Sequence, residues 1–240
     1  MKIALLGYGK MGKAIAELAK DRGHSIAVTI DNEQEWEQHG SMLAGCDVAI
    51  DFTTPSTAVE NIYRCFGLDV PVVVGTTGWY DAYDSLCDYC RKEGKALFTA
   101  TNFSIGMNVV FELNRRLAQM MNRYPEYNAS ITETHHIHKL DSPSGTAITL
   151  ASDAVALLDR MDGWHEQGRG PVSRSLPVAS IREGEVAGIH EVVYDSEIDT
   201  LTLIHQAKSR KGLALGAVLA AEFLCGKRGC FTMKDMLSGQ

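Results

Sequence analysis

Five short apolar runs alternate with amphipathic segments through the first part of this chain, and that alternation restricts its folds more than any other feature. Lys2 to Leu6, Ser25 to Ile30, Cys46 to Asp51, Val70 to Val74 and Ala96 to Thr99 each read as a buried strand. Helical patterns lie between several of them, among them Met11 to Arg22 and Thr57 to Phe66. Strands that alternate with helices pair in parallel, because each crossover returns the chain to the same end of the sheet, and such crossovers are right-handed. An α/β architecture follows.

The first strand runs into Gly7-Tyr8-Gly9-Lys10-Met11-Gly12, and those glycines run into a helix. In a GxGxxG so placed, the first glycine permits a tight turn, the second lets backbone approach a pyrophosphate, and the third allows close helix–strand packing. The helix N-terminus adds amide donors and partial positive charge for phosphates. Taken alone the motif also fits an ordinary glycine turn. Asp31, ending the second strand, stands where an acid that binds a ribose is expected, and the two together favour a dinucleotide. Asn32 follows it rather than an arginine, which disfavours a 2′-phosphate beside the carboxylate. The expectation is NADH, with NADPH open if Lys10 or Lys13 reaches the phosphate. Ligands of open α/β sheets bind beyond the carboxyl ends of the strands. The loops opening with Asp51-Phe52-Thr53, Gly75-Thr76-Thr77 and Ala100-Thr101-Asn102-Phe103 begin there, and are expected to touch the nucleotide.

Around Ile105 the texture changes. Met107 to Arg123 reads as a long helix, Tyr127 to Thr134 as a strand, and Gly145 to Arg160 as another helix. Trp164 to Gly170 is polar and Gly-rich, hence a loop. Leu176 to Arg182, Ile189 to Tyr194 and Thr200 to Ala207 are strand-like without intervening helices, which predicts a mostly antiparallel or mixed sheet. Gly212 to Leu224 is a helix rich in Ala and Leu, expected to return to the first domain. Cys87 and Cys90 form a CxxC with no second pair beside it, and read as two thiols on a helix rather than a redox or zinc site.

A formal net charge of −7 argues against general binding to nucleic acid or anionic membranes. No apolar stretch approaches a membrane span and no signal-peptide layout is present, so a cytoplasmic protein is expected. Against that acidic background, Glu133 to Thr146, ETHHIHKLDSPSGT, packs three histidines and a lysine into five positions. Each such group must be solvated or paired, so the run suits a pocket that holds an anion and moves a proton. Either His135 or Lys139 can donate the proton, the histidine with little tuning and the lysine only with a lowered pKa. Ser144-Gly145-Thr146 precedes a helix and offers hydroxyls and amides to a carboxylate, although Ser144 or Thr146 can equally serve as a plain helix cap. His135, His136 and His138 could bind metal, but adjacent residues of an extended segment point to opposite faces, and Lys139 would repel a cation. No metal is expected.

The run ETHHIHKLDSPSGTA, together with GYGKMG, DFTTP, GTTGW and TNFSIGMN, resembles the 4-hydroxy-tetrahydrodipicolinate reductase family, also called dihydrodipicolinate reductase. The likeness extends from Lys2 to the closing FTMKDML, and the histidine-rich string is its most specific part. The resemblance implies a Rossmann-type nucleotide domain over residues 1–104 and a smaller α+β substrate-binding and oligomerisation domain with a mixed sheet over 105–210. A C-terminal helix, within 211–240, returns to the first domain. It implies reduction of a cyclic, unsaturated dicarboxylate with NADH or NADPH in lysine and diaminopimelate biosynthesis, by a homotetramer. By position, His135 matches the residue assigned as proton donor or acceptor and Lys139 the second proton donor. His136, Gly145 and Thr146 match substrate contacts, to which Ser144 is added, and Arg210 matches an arginine near the site. Gly7 to Gly12, Asp31, Gly75 to Thr77 and Ala100 to Phe103 match nucleotide contacts, with Phe52 and Thr53 beside them. Where many members have an arginine after the strand-two acid, this chain has Asn32, which bears on cofactor preference alone. Other classes considered are a dinucleotide sensor without turnover, a reductase or dehydrogenase of another amino-acid-like acid, and a metal-dependent hydrolase.

Overall fold

The computed structural model describes residues 1–168 and 172–239. The chain forms two compact units, Met1–Ile105 with Arg210–Gln240, and Gly106–Ser209.

The first unit opens with β1 (Lys2–Leu6), α1 (Lys10–Asp21), β2 (Ser25–Ile30), α2 (Glu33–His39), β3 (Val48–Asp51), α3 (Pro55–Gly67), β4 (Val72–Val74), α4 (Tyr83–Lys92) and β5 (Ala96–Thr99). The second consists of most of α5 (Ile105–Met121), then β6 (Asn128–His135), α6 (Gly145–Val155), β7 (Gly163–Glu166), β8 (Ser175–Arg182), β9 (Ile189–Asp195) and β10 (Thr200–Gln206). The chain re-enters the first unit through α7 (Lys211–Leu224), β11 (Gly229–Thr232) and α8 (Met233–Ser238).

In the first unit six strands run in the order β2-β1-β3-β4-β5-β11, every pair parallel. From β1 the chain steps outward to β2 and then to β3 on the other side, so the strand order reverses at the Gly7 loop. Every residue of β3, β4 and β5 is buried because helices cover both faces. Side-chain alternation along β1 sends Ile3 and Leu5 into a layer with α1 and α7, and Ala4 and Leu6 into one with α3 and α4. Cys87 and Cys90 lie in the second of these layers, buried on α4.

The second unit carries the mixed sheet β10-β9-β6-β8-β7, antiparallel on the β9 side of β6 and parallel on the β8 side. Helices α5 and α6 pack on one face through Met107, Phe111, Leu150 and Ala154, against Ile131, Val178, Val192 and Tyr194. Alternation along β6 turns Ala129, Ile131, Glu133 and His135 to that same covered face.

Several sequence expectations are corrected. Trp164 to Glu166, read as loop, belongs to the edge strand β7, whose residues are all half-buried and so show no alternation; Arg169 and Gly170 lie outside the described residues. Helix α6 stops at Val155 rather than Arg160, where the chain turns to bury Leu158. The segment after residue 210 is not one helix: a four-residue strand, β11, adds to the sheet edge beside β5, and α8 follows under a Thr232–Asp235 capping box. Helix α2 has no fully buried residue and no apolar stripe to read; Trp36 alone packs on the core, half-buried.

One contact sets how closely α7 lies on the sheet. A Cβ on Gly216 would fall 1.6 Å from the Phe103 carbonyl oxygen, a rigid backbone atom. Gly216→Ala is expected to destabilise the protein by about 1–3 kcal/mol through overpacking, visible as a lower midpoint in thermal or urea denaturation.

Candidate active site

The parallel sheet brings the loops after β1, β2, β3, β4 and β5 to one edge. A Cβ on Gly12 would stand 2.2 Å from the Gly7 carbonyl oxygen, so only glycine lets α1 sit this close to β1. Gly9, by contrast, faces open space, and α1 begins there with no side-chain cap and no acid in its first turn. An uncapped, acid-free N-terminus beside an open backbone is what a pyrophosphate requires, so the loop fits a dinucleotide. Tyr8 and Lys10 are exposed and Met11 half-buried beside it. Asp31 accepts the Tyr8 amide at 2.8 Å, which fixes its carboxylate against the glycine loop. Asn32 has a structural task, capping α2 by accepting the Glu35 amide at 3.0 Å.

The next three loops are braced together. Asp51 is wholly buried and accepts from Thr76 Oγ1 at 2.7 Å, Asn61 Nδ2 at 2.8 Å and Thr53 Oγ1 at 2.9 Å. Burial pushes its pKa up, against the pull of those donors. The Phe52 ring covers Gly75, where a Cβ would come within 2.2 Å of it, and packs at 5.6 Å on Phe103. The Thr76 and Phe103 side chains are buried in the protein, so at these two positions only the main chain could meet a nucleotide. Thr77 and Thr101 are exposed, while Phe52, Thr53, Gly75, Ala100 and Asn102 are half-buried.

In the second unit, register assembles a polar cluster on the covered face of the mixed sheet. Glu133 of β6 is flanked by Ser180 of β8 and His190 of β9, and His135 is flanked by Arg182. Glu133 Oε1 accepts from the Ser144 amide at 2.9 Å, Ser180 Oγ at 2.9 Å and Arg182 Nη2 at 3.2 Å. Its other oxygen, Oε2, is buried without a hydrogen-bond donor among the described residues, 3.4 Å from His135 Nε2 and 3.8 Å from His190 Nε2. The two imidazole Nε2 atoms stand 3.4 Å apart. Burial would raise the Glu133 pKa, but His135 and the Ser144 and Ser180 donors outweigh it and hold the carboxyl well below the usual range. His190 goes the other way: burial first, and His135 second, push it down to about 4. Gly188, at φ +151°, leaves room for the His135 ring, since a Cβ there would lie 2.8 Å from His135 Cε1.

Glu133, His135 and His190 would admit a small cation by distance alone. Two cationic groups already face the cluster: Arg182 on the carboxylate, and Lys139, whose charge disfavours protonation of His190. We read it as a proton-holding cluster. His136 is half-buried beside it in sequence, with Nδ1 buried and unpartnered among the described residues. His138 is a surface group paired with Glu185 at 3.0 Å. Lys139 Nζ donates to both oxygens of Asp141, at 2.7 and 2.8 Å. Ser144 is buried: its amide serves Glu133, and its hydroxyl caps α6 at the Ala147 amide and lies 3.4 Å from His190 Nε2. Gly145 is exposed and Thr146 half-buried in the first turn of α6. Arg210 belongs to the first unit, at the start of α7, whereas the other expected substrate residues lie in the second.

Sequence reading assigned nothing to Glu133, His190, Ser180 or Arg182. The available signal was the period of two along β6, which puts Glu133 on the same inward face as His135 among apolar residues. His190 shows the same sign in β9, inward with Val192 and Tyr194.

A neutral buried His190 makes the fold acid-sensitive. The unfolded chain takes up this proton near pH 6.5 and the folded chain only near 4, so stability present above 6.5 is lost progressively as pH falls to about 4. At about 1.4 kcal/mol per pH unit of gap, the loss is on the order of 3 kcal/mol. Thermal melts across this range should show the decline, and His190→Asn should flatten it.

Comparison with known proteins follows this geometry. The family model for the dihydrodipicolinate reductase N-terminus matches residues 1–103, and that for its C-terminus matches 106–237. A 4-hydroxy-tetrahydrodipicolinate reductase of Christiangramia forsetii is 48% identical over 238 residues, covering 99% of this chain and 98% of that one. One from Staphylococcus aureus strain Newman is 33% identical, covering 99% and 100%. Among solved structures, the dipicolinate-bound dihydrodipicolinate reductase from Paenisporosarcina sp. TG-14 superposes with a TM-score of 0.76 at 21% identity, covering 97% of each chain. An amine dehydrogenase from Mycobacterium smegmatis reaches 0.62 at 12% identity, covering 98% and 95%, so the fold is shared with enzymes of other substrates. Matched along both halves and by close full-length relatives, this chain belongs to the dihydrodipicolinate reductase family.

Proposed function

We propose that this enzyme reduces 4-hydroxy-tetrahydrodipicolinate to tetrahydrodipicolinate, in lysine and diaminopimelate biosynthesis, with acid catalysis by His135 and Lys139. The observation that carries the reading is a buried, proton-holding histidine cluster whose His135 leads directly into the exposed-to-half-buried basic residues His136, His138 and Lys139, on a chain whose family is that of the reductase. A reduced nicotinamide held at the Gly7–Gly12 loop and Asp31 would supply the hydride to C4 of the ring. The chain's own residues do the remainder. His136, Lys139 and the first turn of α6 at Gly145 and Thr146 bind the substrate's carboxylates, with Arg210 a further cationic contact. His135 delivers a proton as negative charge builds on the ring, and acid catalysis of this kind contributes about 10²–10⁴-fold. The cationic side chains stabilise that charge where water is excluded. Asp31 with Asn32 favours NADH, with NADPH served through Lys10 or Lys13. A homotetramer belongs to the same proposal: Ile181 and Ile204, 45% and 56% exposed on the sheet face turned away from α5 and α6, are apolar surface a second copy would cover.

The Lys139–Asp141 pair gives the substrate's carboxylate a competitor already in place. Asp141→Asn is expected to lower KM about two- to five-fold, the range of an exposed ion pair, with kcat little changed. The decisive assay supplies the product of the preceding synthase and follows NADH and NADPH oxidation separately. Oxidation that falls by orders of magnitude in His135→Gln, with KM changed modestly, is the expected result. Failure of either cofactor to be oxidised would defeat the proposal, and turnover near wild type in His135→Gln would remove His135 from it.

A further inference from the structure

We propose that Glu133 is a positioning residue for His135: its fixed carboxylate holds the Nε2 edge of the His135 ring inward, beside His190, and leaves Nδ1 as the nitrogen that delivers the proton. This rests on the reading of His135 as donor. Three donors from two directions, the Ser144 amide and the Ser180 and Arg182 side chains, occupy Oε1 and so fix the plane of the carboxylate. Oε2 is left buried with no donor among the described residues, and a buried anionic oxygen in that state strongly favours a proton brought to it. His135 Nε2 is the nearest source, at 3.4 Å.

His190 determines where that proton rests. Its Nε2 faces His135 Nε2 at 3.4 Å, so the two nitrogens can hold one proton between them. Burial disfavours the charged form of His190. The other charged or titratable groups facing the cluster are Arg182 from β8, His205 from β10, and Lys139 from the loop, the last paired to Asp141. Arg182 lies on Oε1, the oxygen away from the imidazoles, and therefore orients Glu133 without competing for Oε2. Gly188 stands at the Cε1 corner of the His135 ring, where a Cβ would lie 2.8 Å from Cε1, 3.3 Å from Nδ1 and 3.6 Å from Nε2. The absent side chain leaves space beside Cε1 and Nδ1. In the transfer, the Nδ1–H bond breaks, its electron pair stays on the ring, and the proton forms a C–H bond with the substrate carbanion; solvent restores the proton.

The test is nitrogen-15 NMR of the histidine rings in the intact chain, paired with steady-state kinetics. In the wild-type protein, the neutral His135 ring is expected to carry its proton on Nε2, and the Nδ1–H form would overturn the proposal without any variant. Glu133→Gln is expected to shift that preference towards Nδ1–H and to cut kcat about 10–100-fold, with KM values within about two-fold. An unchanged His135 tautomer in folded Glu133→Gln would overturn the proposal. Normal turnover in His135→Gln, with the Nε2–H form present in the wild-type protein, would instead strike out the donor role and leave the Glu133–His135 pair standing.

Discussion

A single buried negative charge organises the second unit. Glu133 is wholly buried, and an ionised carboxylate in that setting is stable only when its partners are all in place. Those partners come from β8 and from the N-cap of α6, with the imidazoles of β6 and β9 beside them. The register of three strands and the entry of one helix are thereby tied to one side chain. A slip of one residue along β6 would put Glu133 on the outer face and strand every donor. The cluster proposed to serve the reaction is also a condition of the sheet that carries it.

In the first unit the corresponding tie is Asp51, which joins the loops after β3 and β4 through Thr53 and Thr76 and reaches α3 through Asn61. Both units thus place a buried carboxylate at the carboxyl end of a strand, and in each the charge fixes loops rather than meeting solvent. The two differ in outcome. Asp51 is driven up by burial, whereas Glu133, with cationic and imidazole neighbours, is driven down.

Legibility followed how much of an element's stability is written in its own residues. The runs KIALL and ALFT announced β1 and β5 because strands buried on both faces are continuously apolar, and SIAVTI announced the edge strand β2 through its β-branched residues. GYGKMG placed the turn, and the alternation in β6 and β9 placed the second sheet. What escaped were elements stabilised by neighbours: β7 and β11, four residues each and held by pairing to β8 and β5, and α2, which lies on the surface with no buried residue. At the site, the histidine run was visible because charge density is local. Glu133's role, and those of His190, Ser180 and Arg182, depend on cross-strand register, which residue spacing along one segment does not contain. Ser144 illustrates the reverse: its sequence position suited both ligand binding and capping, and only the contact to Glu133 separates them.

Asn32 connects cofactor choice to architecture. The residue after Asp31, the acid proposed to hold a ribose, is also the cap that starts α2, and Glu35 returns the favour by accepting from the Asp31 amide and the Asn32 side chain. An arginine here, the simplest route to a 2′-phosphate, would discard a cap worth about 1 kcal/mol and unsettle the acid just before it. A lineage or an engineer changing dinucleotide preference at this position therefore changes two traits in one step. Adaptation towards NADPH would run more smoothly through Lys10 or Lys13, both exposed near the start of α1 and without a structural duty of this kind.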